Sequence, residues 1–495
     1  MSVVTLQLGQ CGTQIGHALF ETLARETEVD QASGKSPLFD TFFRQPDEQR
    51  TDNKKKRHAR SVLVDMEPKV VDRAVVSAAS SSTKWCYAPG CCFSQQSGSG
   101  NNWARGYNSY GPTYVNDVCD LVRREAERAD YLGGFLMLQS MAGGTGAGLG
   151  TYIAEAIRDS FPSSFLMNHC IWPYQSGEVI VQNYNSLLTL AHLAEVSDGI
   201  MLVENSALHS TCQRLLNIER PSFMDMNAVA ARALSSALLP ASYRPIAGGT
   251  SQSGRPVTLF GDIVEKLCCH PAYRLLSLRS LPQMPAGSID FTTFTWPAIL
   301  RRLQQMQVTG SLLEEGLRWD VKVNSSDNVH GRQVNKSLAA MLVLRSESPE
   351  SVAGLSTPAK ATALFLLRIP WCTQKSEGSV LLSIAGPSLN VPRGQGARQV
   401  DASMFSHPGL YTPWAIQPLS MASSPDRFAK FEMSASLLSN DQSCAKLIRS
   451  MQDKAYSMFD AGAYLHQYQQ FGIERQDFEE CFARIEDINA SYKAL

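Results

Sequence analysis

At 495 residues the chain exceeds the size at which one hydrophobic core keeps growing, so two or three domains are expected. With 44% apolar and 18% charged residues it reads as globular rather than disordered, and a formal net charge of −1 argues against nucleic acid or a membrane as main partner. Twelve scattered cysteines, with adjacent pairs at 91/92 and 268/269 and no C-x-x-C, suit neither zinc nor a disulfide scaffold and predict a reducing, cytosolic setting without a signal peptide.

The first half alternates short apolar runs with helical patterns. "VVTLQL" leads through Gly9-Gln10-Cys11-Gly12 into a helix with Ile15, Leu19 and Leu23 on one face. Lys54, Lys55, Lys56 and Arg57, with Arg60 close by, read as a solvated basic loop; nuclear import or an acidic partner are the alternatives. "SVLVD" (61–65) ends at Asp65-Met66-Glu67-Pro68, two carboxylates at i and i+2 and so on one face. "SGSGNNWARG" (97–106) supplies small residues and amide donors, and "GFLML" (134–138) runs into "QSMAGGTGAGLGTYIAEAI" (139–157). "GIMLVEN" (199–205) closes the series. Strands alternating with helices predict a parallel α/β sheet whose ligand sits at the carboxyl ends of the strands.

Residues 139–157 hold Gly143, Gly144, Gly146, Gly148 and Gly150 between a strand and a helix with Ile153, Ala154 and Ile157 facing inward. The stretch has no Lys, so it is no Walker A loop, and no G-x-G-x-x-G with a downstream acid argues for a dinucleotide enzyme. A tight turn needs one or two glycines. Five point to backbone amides closing on an anion at a helix N-terminus, hence to phosphate. Asp65 and Glu67, hard oxygen ligands, suit a hydrated Mg²⁺ travelling with that phosphate.

From Pro221, "FMDMNAVAARALSSALLP" reads as a buried helix between domains. "AGGTSQSGRP" (247–256) reads as a surface loop; "ALFLLRI" and "SVLLSIAG" read as strands among the polar loops 322–337 and 388–399. The run "ATALFLLRIPW" (361–371), broken by Arg368 and Pro370, is too short to span a bilayer. The end reads as helical, with one stripe of Leu447, Ile448, Met451, Ala455 and Met458 and another of Phe478, Cys481, Phe482, Ile485 and Ile488. The expected domains are 1–220 for nucleotide, 221–244 for the core helix, 245–400 as a mixed α/β intermediate domain and 401–495 as C-terminal helices.

"LGQCGTQIG", "LVDMEP", "GSGNNWARG", "MAGGTGAGLG" and "VQNYNSLLTLAHL" stand in the order and approximate spacing found in tubulins, and the match continues to "YLHQYQQFGIERQDFEE". The chain therefore resembles the tubulin superfamily over nearly its whole length. "MSVVTLQLGQCG", "CIWPYQSGEVIVQNYNS" and "CHPAYRLLSLRS" are most like the delta branch. The resemblance implies GTP or GDP with Mg²⁺. Gln10, Cys11 and Gln14 would line the first loop, with Asp65 and Glu67 towards the metal and Asn101 near the γ-phosphate. Ser140, Gly143, Gly144, Thr145 and Gly146 would cradle the phosphates. Glu178 and Gln182 fall in the ribose-binding loop, Asn205 and Asn227 would read the base edge, and Phe223 would stack on its face.

Some positions depart from the family pattern. Ala142 replaces a glycine and Ala147 stands where Ser is common; both are small enough for phosphate approach. Gln182 stands where a Glu usually meets the ribose. The start differs from Met-Arg-Glu, and "INASYKAL" replaces a glutamate-rich tail, so tail-reading motors and modifying enzymes are not expected to recognise it. In this family one subunit binds GTP and the next supplies an acid that positions the attacking water. "FGDIVEKLCCHP" resembles that segment, and matching Asp262 places Glu265 at the acidic position of a slow, assembly-dependent GTPase. An exposed helical glutamate without such a role is the alternative. The resemblance implies partnership with other tubulin subunits and with centriolar or ciliary proteins, at centrioles, centrosome, basal bodies and cilia. The second functional reading is a GTP-stabilised interaction protein that never polymerises.

Overall fold

The computed structural model describes residues 2–30, 38–46, 56–177, 179–243, 256–292, 295–323, 334–346 and 402–495. Lys54, Lys55, Glu178 and the expected strands and loops between 347 and 401 lie outside the described residues, as do 244–255 and 324–333.

Eleven strands form one sheet: β1 (Ser2–Leu8), β2 (Ser61–Asp65), β3 (Cys92–Ser94), β4 (Leu132–Ser140), β5 (Leu166–Trp172), β6 (Gly199–Glu204), β7 (Ser242–Tyr243), β8 (Leu275–Leu281), β9 (Ser337–Ser346), β10 (Leu419–Ser424) and β11 (Met433–Asp441). Their order across the sheet is β7-β10-β9-β11-β8-β6-β5-β4-β1-β2-β3. The first six pair in parallel, and β8 continues them by pairing in parallel with β6. β8 pairs antiparallel with β11, which does the same with β9. The sheet is therefore continuous across residue 245, and the central strands, buried along nearly every residue, read as unbroken apolar runs for that reason.

The main helices are α1 (Gly9–Asp30), α2 (Pro68–Ser80), α3 (Gly111–Ala126), α4 (Gly150–Ser160), α5 (Gln182–Val196), α6 (Phe223–Leu238), α7 (Leu259–Leu267), α8 (Trp296–Thr309), α9 (Ser443–Asp460) and α10 (Arg475–Lys493). One face of the sheet packs on α3, α4, α5, α9 and α10, through Val122, Ile153, Leu187, Met451 and Phe478 among others. The other packs on α1, α2, α6 and α7, through Leu19, Val71, Leu234 and Phe260. A separate core gathers α8 against β9 and β11.

Two expectations are corrected. The span from 401, expected to be helical, passes from two short 3-10 turns (Ser403–Ser406 and Pro408–Leu410) into β10 and β11, and its α-helices begin only at Ser443. Arg60, read with the solvated basic run, is buried, lies 4.0 Å from Glu125 and donates to the carbonyls of Asp40 and Arg128. Glu125 also holds Arg44 at 3.1 Å, so these charges are ion-paired inside the fold.

The β8–β11 ladder is pinned by a fully buried pair, Arg279 Nη1 to Asp441 Oδ2 at 2.8 Å, with Ser277 and Ser439 hydroxyls donating to the same oxygen at 2.7 and 2.6 Å. Burial pushes the Asp441 carboxyl up, but the Arg279 guanidinium and these bonds outweigh it and bring it down to about 2, from 3.8. A carboxyl depressed in the fold contributes stability above its unfolded value, lost as pH falls through the folded one. Arg279→Ala should lower stability by about 3–5 kcal/mol in urea unfolding at neutral pH, because it strands a buried carboxylate. That deficit should shrink as pH falls from 3.8 towards about 2.

Candidate nucleotide site

Across its first six strands the sheet runs β3-β2-β1-β4-β5-β6, so the strand order reverses between β1 and β4. A crevice at the carboxyl ends of the strands opens at such a reversal. Glycine follows both strands that flank it, Gly9 directly after β1 and Gly143 and Gly144 in the bend after β4.

β1 passes directly into α1 at Gly9, whose φ of +69° suits glycine. The expected glycine turn is therefore the first turn of the helix, with Gln10 exposed and Cys11 and Gln14 half-buried on it. Burial pushes the Cys11 thiol up to about 12, so it is present as the neutral thiol. From α6, Asn227 Nδ2 donates to Gln14 Oε1 at 3.3 Å, bringing an expected base-edge residue onto an expected first-loop residue. Phe223 stands at the start of α6, 52% exposed. Asn205 starts a short helix at the end of β6, and that helix packs on α6.

The glycine-rich stretch differs from its expectation. Residues 141–144 form the bend after β4, and Thr145–Leu149 is already a wide helical turn that leads into α4. Most of its glycines serve close backbone packing. A Cβ on Gly144 would lie 2.6 Å from Asn102 O, one on Gly146 3.0 Å from Leu8 O, and one on Gly148 2.2 Å from Trp103 O. On Gly143 a Cβ would meet only Asn101 Oδ1, at 3.9 Å, so Gly143 borders open space beside Asn101. The small departures from the family pattern fit too: Ala147 is fully buried, and the Ala142 N–H is fixed by Ser140 Oγ at 3.2 Å.

The asparagine loop closes over this bend. Gly100 and Asn101 both have positive φ, +61° and +54°. Ser99 Oγ lies 3.1 Å from Thr145 Oγ1. Neither Ser99 nor the residues beneath it carry an obvious sequence signal. The main one is Asn185 of α5, buried inside the quoted "VQNYNS" run. Its Nδ2 donates to Asn101 O at 2.8 Å and to Ala142 O at 2.6 Å. Its Oδ1 accepts from the Trp103 N–H at 3.1 Å and from Tyr468 OH at 2.6 Å. One amide thus ties the glycine bend, the asparagine loop and the segment between α9 and α10. Asn102 Nδ2 adds a bond to Gln467 O at 3.0 Å.

At the other side of β1, Asp65 ends β2, buried, while Glu67 is exposed and lies beside Gly98. Burial, and then the charge of Glu67, push the Asp65 carboxyl up to about 6 against two backbone N–H bonds. Its Oδ2 has no hydrogen-bond partner. An orphaned carboxylate oxygen fits a metal-bound water. Among the described residues no group of three or more His, Cys, Asp or Glu gathers as a metal cage, so an ion here would share its shell with phosphates and water.

Gln182, expected at the ribose, is buried and its Nε2 donates to Tyr174 O at 2.6 Å. A carboxylate could not make that bond, which explains the amide at this position. Tyr174 in turn reaches Met226 of α6 and His209, linking the ribose-side loop to the core helix. Asp262 is buried in the first turn of α7 and accepts from the Thr258 N–H. Glu265 is exposed on the same helix. Phe260 of α7 lies against Gly134, near the amino end of β4, and Gly134 is separated from Ser140 by roughly 20 Å of strand.

Comparisons with known proteins agree with this arrangement. The model of the Tubulin/FtsZ family GTPase domain matches residues 2–213. The tubulin delta chain of Canis lupus familiaris is 38% identical over 506 residues, covering 99% of both chains, and that of Homo sapiens is 37% identical with the same coverage. The tubulin beta-1 chain of Colletotrichum graminicola is 36% identical over 243 residues, 47% of this chain and 52% of that one. A sheet reversal flanked by glycines, a family match across that half and full-length similarity to delta chains converge: this chain belongs to the tubulin family and is a GTP-binding member of it.

Proposed function

We propose that the chain holds GTP with Mg²⁺ in the β1–β4 crevice and associates with other tubulin subunits at centrioles, basal bodies and cilia, in the formation or upkeep of triplet microtubules. Full-length similarity to delta chains supports the cellular setting. The observation that carries the nucleotide assignment is the bend at Gly143, open beside Asn101 and fixed from behind by Asn185. Ser140, Gly143, Gly144, Thr145 and Gly146 would present backbone and hydroxyl donors to phosphate oxygens. Gln10, Cys11 and Gln14 would border the nucleotide from α1, and Asn205, Asn227 and Phe223 would select guanine. Glu178 and Gln182 would border the ribose. Bound through Asp65 and Glu67, Mg²⁺ would neutralise phosphate charge.

The helix of Glu265 packs through Phe260 on Gly134, near the amino end of β4 and away from the phosphate bend at its carboxyl end, which supports a role of Glu265 toward a neighbouring subunit's nucleotide. Its exposure leaves it free to reach one. Glu265→Ala should keep the bound nucleotide and slow phosphate release by roughly 10²-fold when assembled with a tubulin partner. Unchanged hydrolysis in the assembled variant would remove Glu265 from the mechanism. A pull-down from ciliated cells that scores tubulin subunits and bound nucleotide together tests the wider reading. Nucleotide without any tubulin partner would favour the non-polymerising alternative.

A further inference from the structure

We propose that Cys91 and Cys92 form a thiol–disulfide site that reacts with hydrogen peroxide, Cys92 attacking and Cys91 resolving. The two sulfurs of this adjacent pair lie 3.7 Å apart. Their exposures differ in the sense the roles require: Cys92 is half-buried at the start of β3, and Cys91 is buried in the core below. Among the described residues β3 is a three-residue strand at the edge of the sheet, paired only with β2, so its backbone can twist at modest cost to the ladder. Just before the pair, Gly90 has a φ of +76° and open space around it, a second point of adjustment.

The electrostatics agree with the geometry. A bond from the Cys91 thiol holds the Cys92 thiol below its usual value, against burial and the charge of Asp72. The same bond, then burial, push Cys91 well up. The opposite shifts favour Cys92 over Cys91 as the attacking sulfur.

In the first step the Cys92 sulfur attacks one peroxide oxygen, the O–O bond breaks, and the departing hydroxide takes up the proton released by the Cys92 thiol to become water. Cys92 is left as the sulfenic acid. In the second, the Cys91 sulfur attacks the Cys92 sulfur, the S–O bond breaks, and hydroxide leaves with the Cys91 proton as water. Two thiols and one peroxide give one disulfide and two waters. Closing that ring strains the Leu63 N–H bond to Cys91 O, now 2.9 Å, from which the β2–β3 pairing runs to Ser94 opposite Asp65. A faster loss of nucleotide on oxidation follows from this; that consequence rests on the nucleotide reading, while the thiol chemistry does not.

The test treats the full-length protein with hydrogen peroxide and reads the tryptic peptide 85–105, in which buried Cys86 is an internal reference. Expected is the loss of two hydrogens between Cys91 and Cys92, reversed by dithiothreitol, with Cys86 still a free thiol. In Cys91→Ser, Cys92 should accumulate a dimedone-trapped sulfenic acid; in Cys92→Ser, Cys91 should stay unreacted. Both thiols intact in the wild-type peptide while exposed Cys269 is oxidised would overturn the proposal, and that readout needs no variant. So would Cys91 reacting at the wild-type rate in Cys92→Ser. A reversible disulfide with unchanged nucleotide release would overturn the link to Asp65 and leave the thiol site standing.

Discussion

Asn185→Ala is expected to lower stability by on the order of 4 kcal/mol and to speed nucleotide release at least tenfold. The substitution strands two carbonyls, Asn101 O and Ala142 O, and two donors, the Trp103 N–H and Tyr468 OH. Each buried group left unpaired costs about 1–3 kcal/mol, so the low end of the range already gives the figure. The loss should be larger for nucleotide retention than a general loosening predicts, because two of the four groups belong to the loops flanking Gly143. Asn185→Asp should be no milder. It keeps the two accepting contacts but turns a carboxylate towards two carbonyl oxygens. Urea unfolding and release of a fluorescent GTP analogue read the two effects separately. Full stability in Asn185→Ala would show that water replaces the amide without cost.

The second large effect separates packing glycines from the one beside the open space. Gly148→Ala places a Cβ 2.2 Å from Trp103 O and 3.0 Å from Trp103 C, both backbone atoms that the asparagine loop holds in place. Overpacking of this kind costs about 1–3 kcal/mol where side chains can yield, and more against backbone. The variant should therefore lose fold stability and nucleotide together. Gly143→Ala has only Asn101 Oδ1 nearby, at 3.9 Å. It should keep its unfolding midpoint and weaken nucleotide affinity, because the new methyl enters the space expected for phosphate. If both variants lose stability equally, Gly143 is a packing glycine like the rest and the open bend is not the phosphate seat.

These contrasts show what one sequence can and cannot carry. The parallel strands were legible because strands buried on both faces read as unbroken apolar runs, as in "SVLVD" and "GFLML". β10 and β11, "LSMASS" and "MSASLLSND", escaped notice because serine is a weak strand signal. Those serines are tolerated inside because partners from distant strands satisfy them, as Arg279 does for Ser439. The glycine-rich stretch advertised backbone approach but not what approaches it, and Trp103 and Asn102 are neighbours only after folding. Asn185 was invisible as a hub because its partners lie 43 and 283 residues away in sequence. Arg60 misled because its charge is evident in the sequence and its buried partner Glu125 is not.

The central claim is that the reversal between β1 and β4 holds a guanine nucleotide. It is tested most directly by purifying the wild-type chain, denaturing it and identifying what is released by chromatography against standards. GTP or GDP near one equivalent per folded chain, depleted when Mg²⁺ is chelated, is the predicted result. Release of NAD or an adenine nucleotide, or a stably folded chain that holds no nucleotide and takes up none from added GTP, would contradict it.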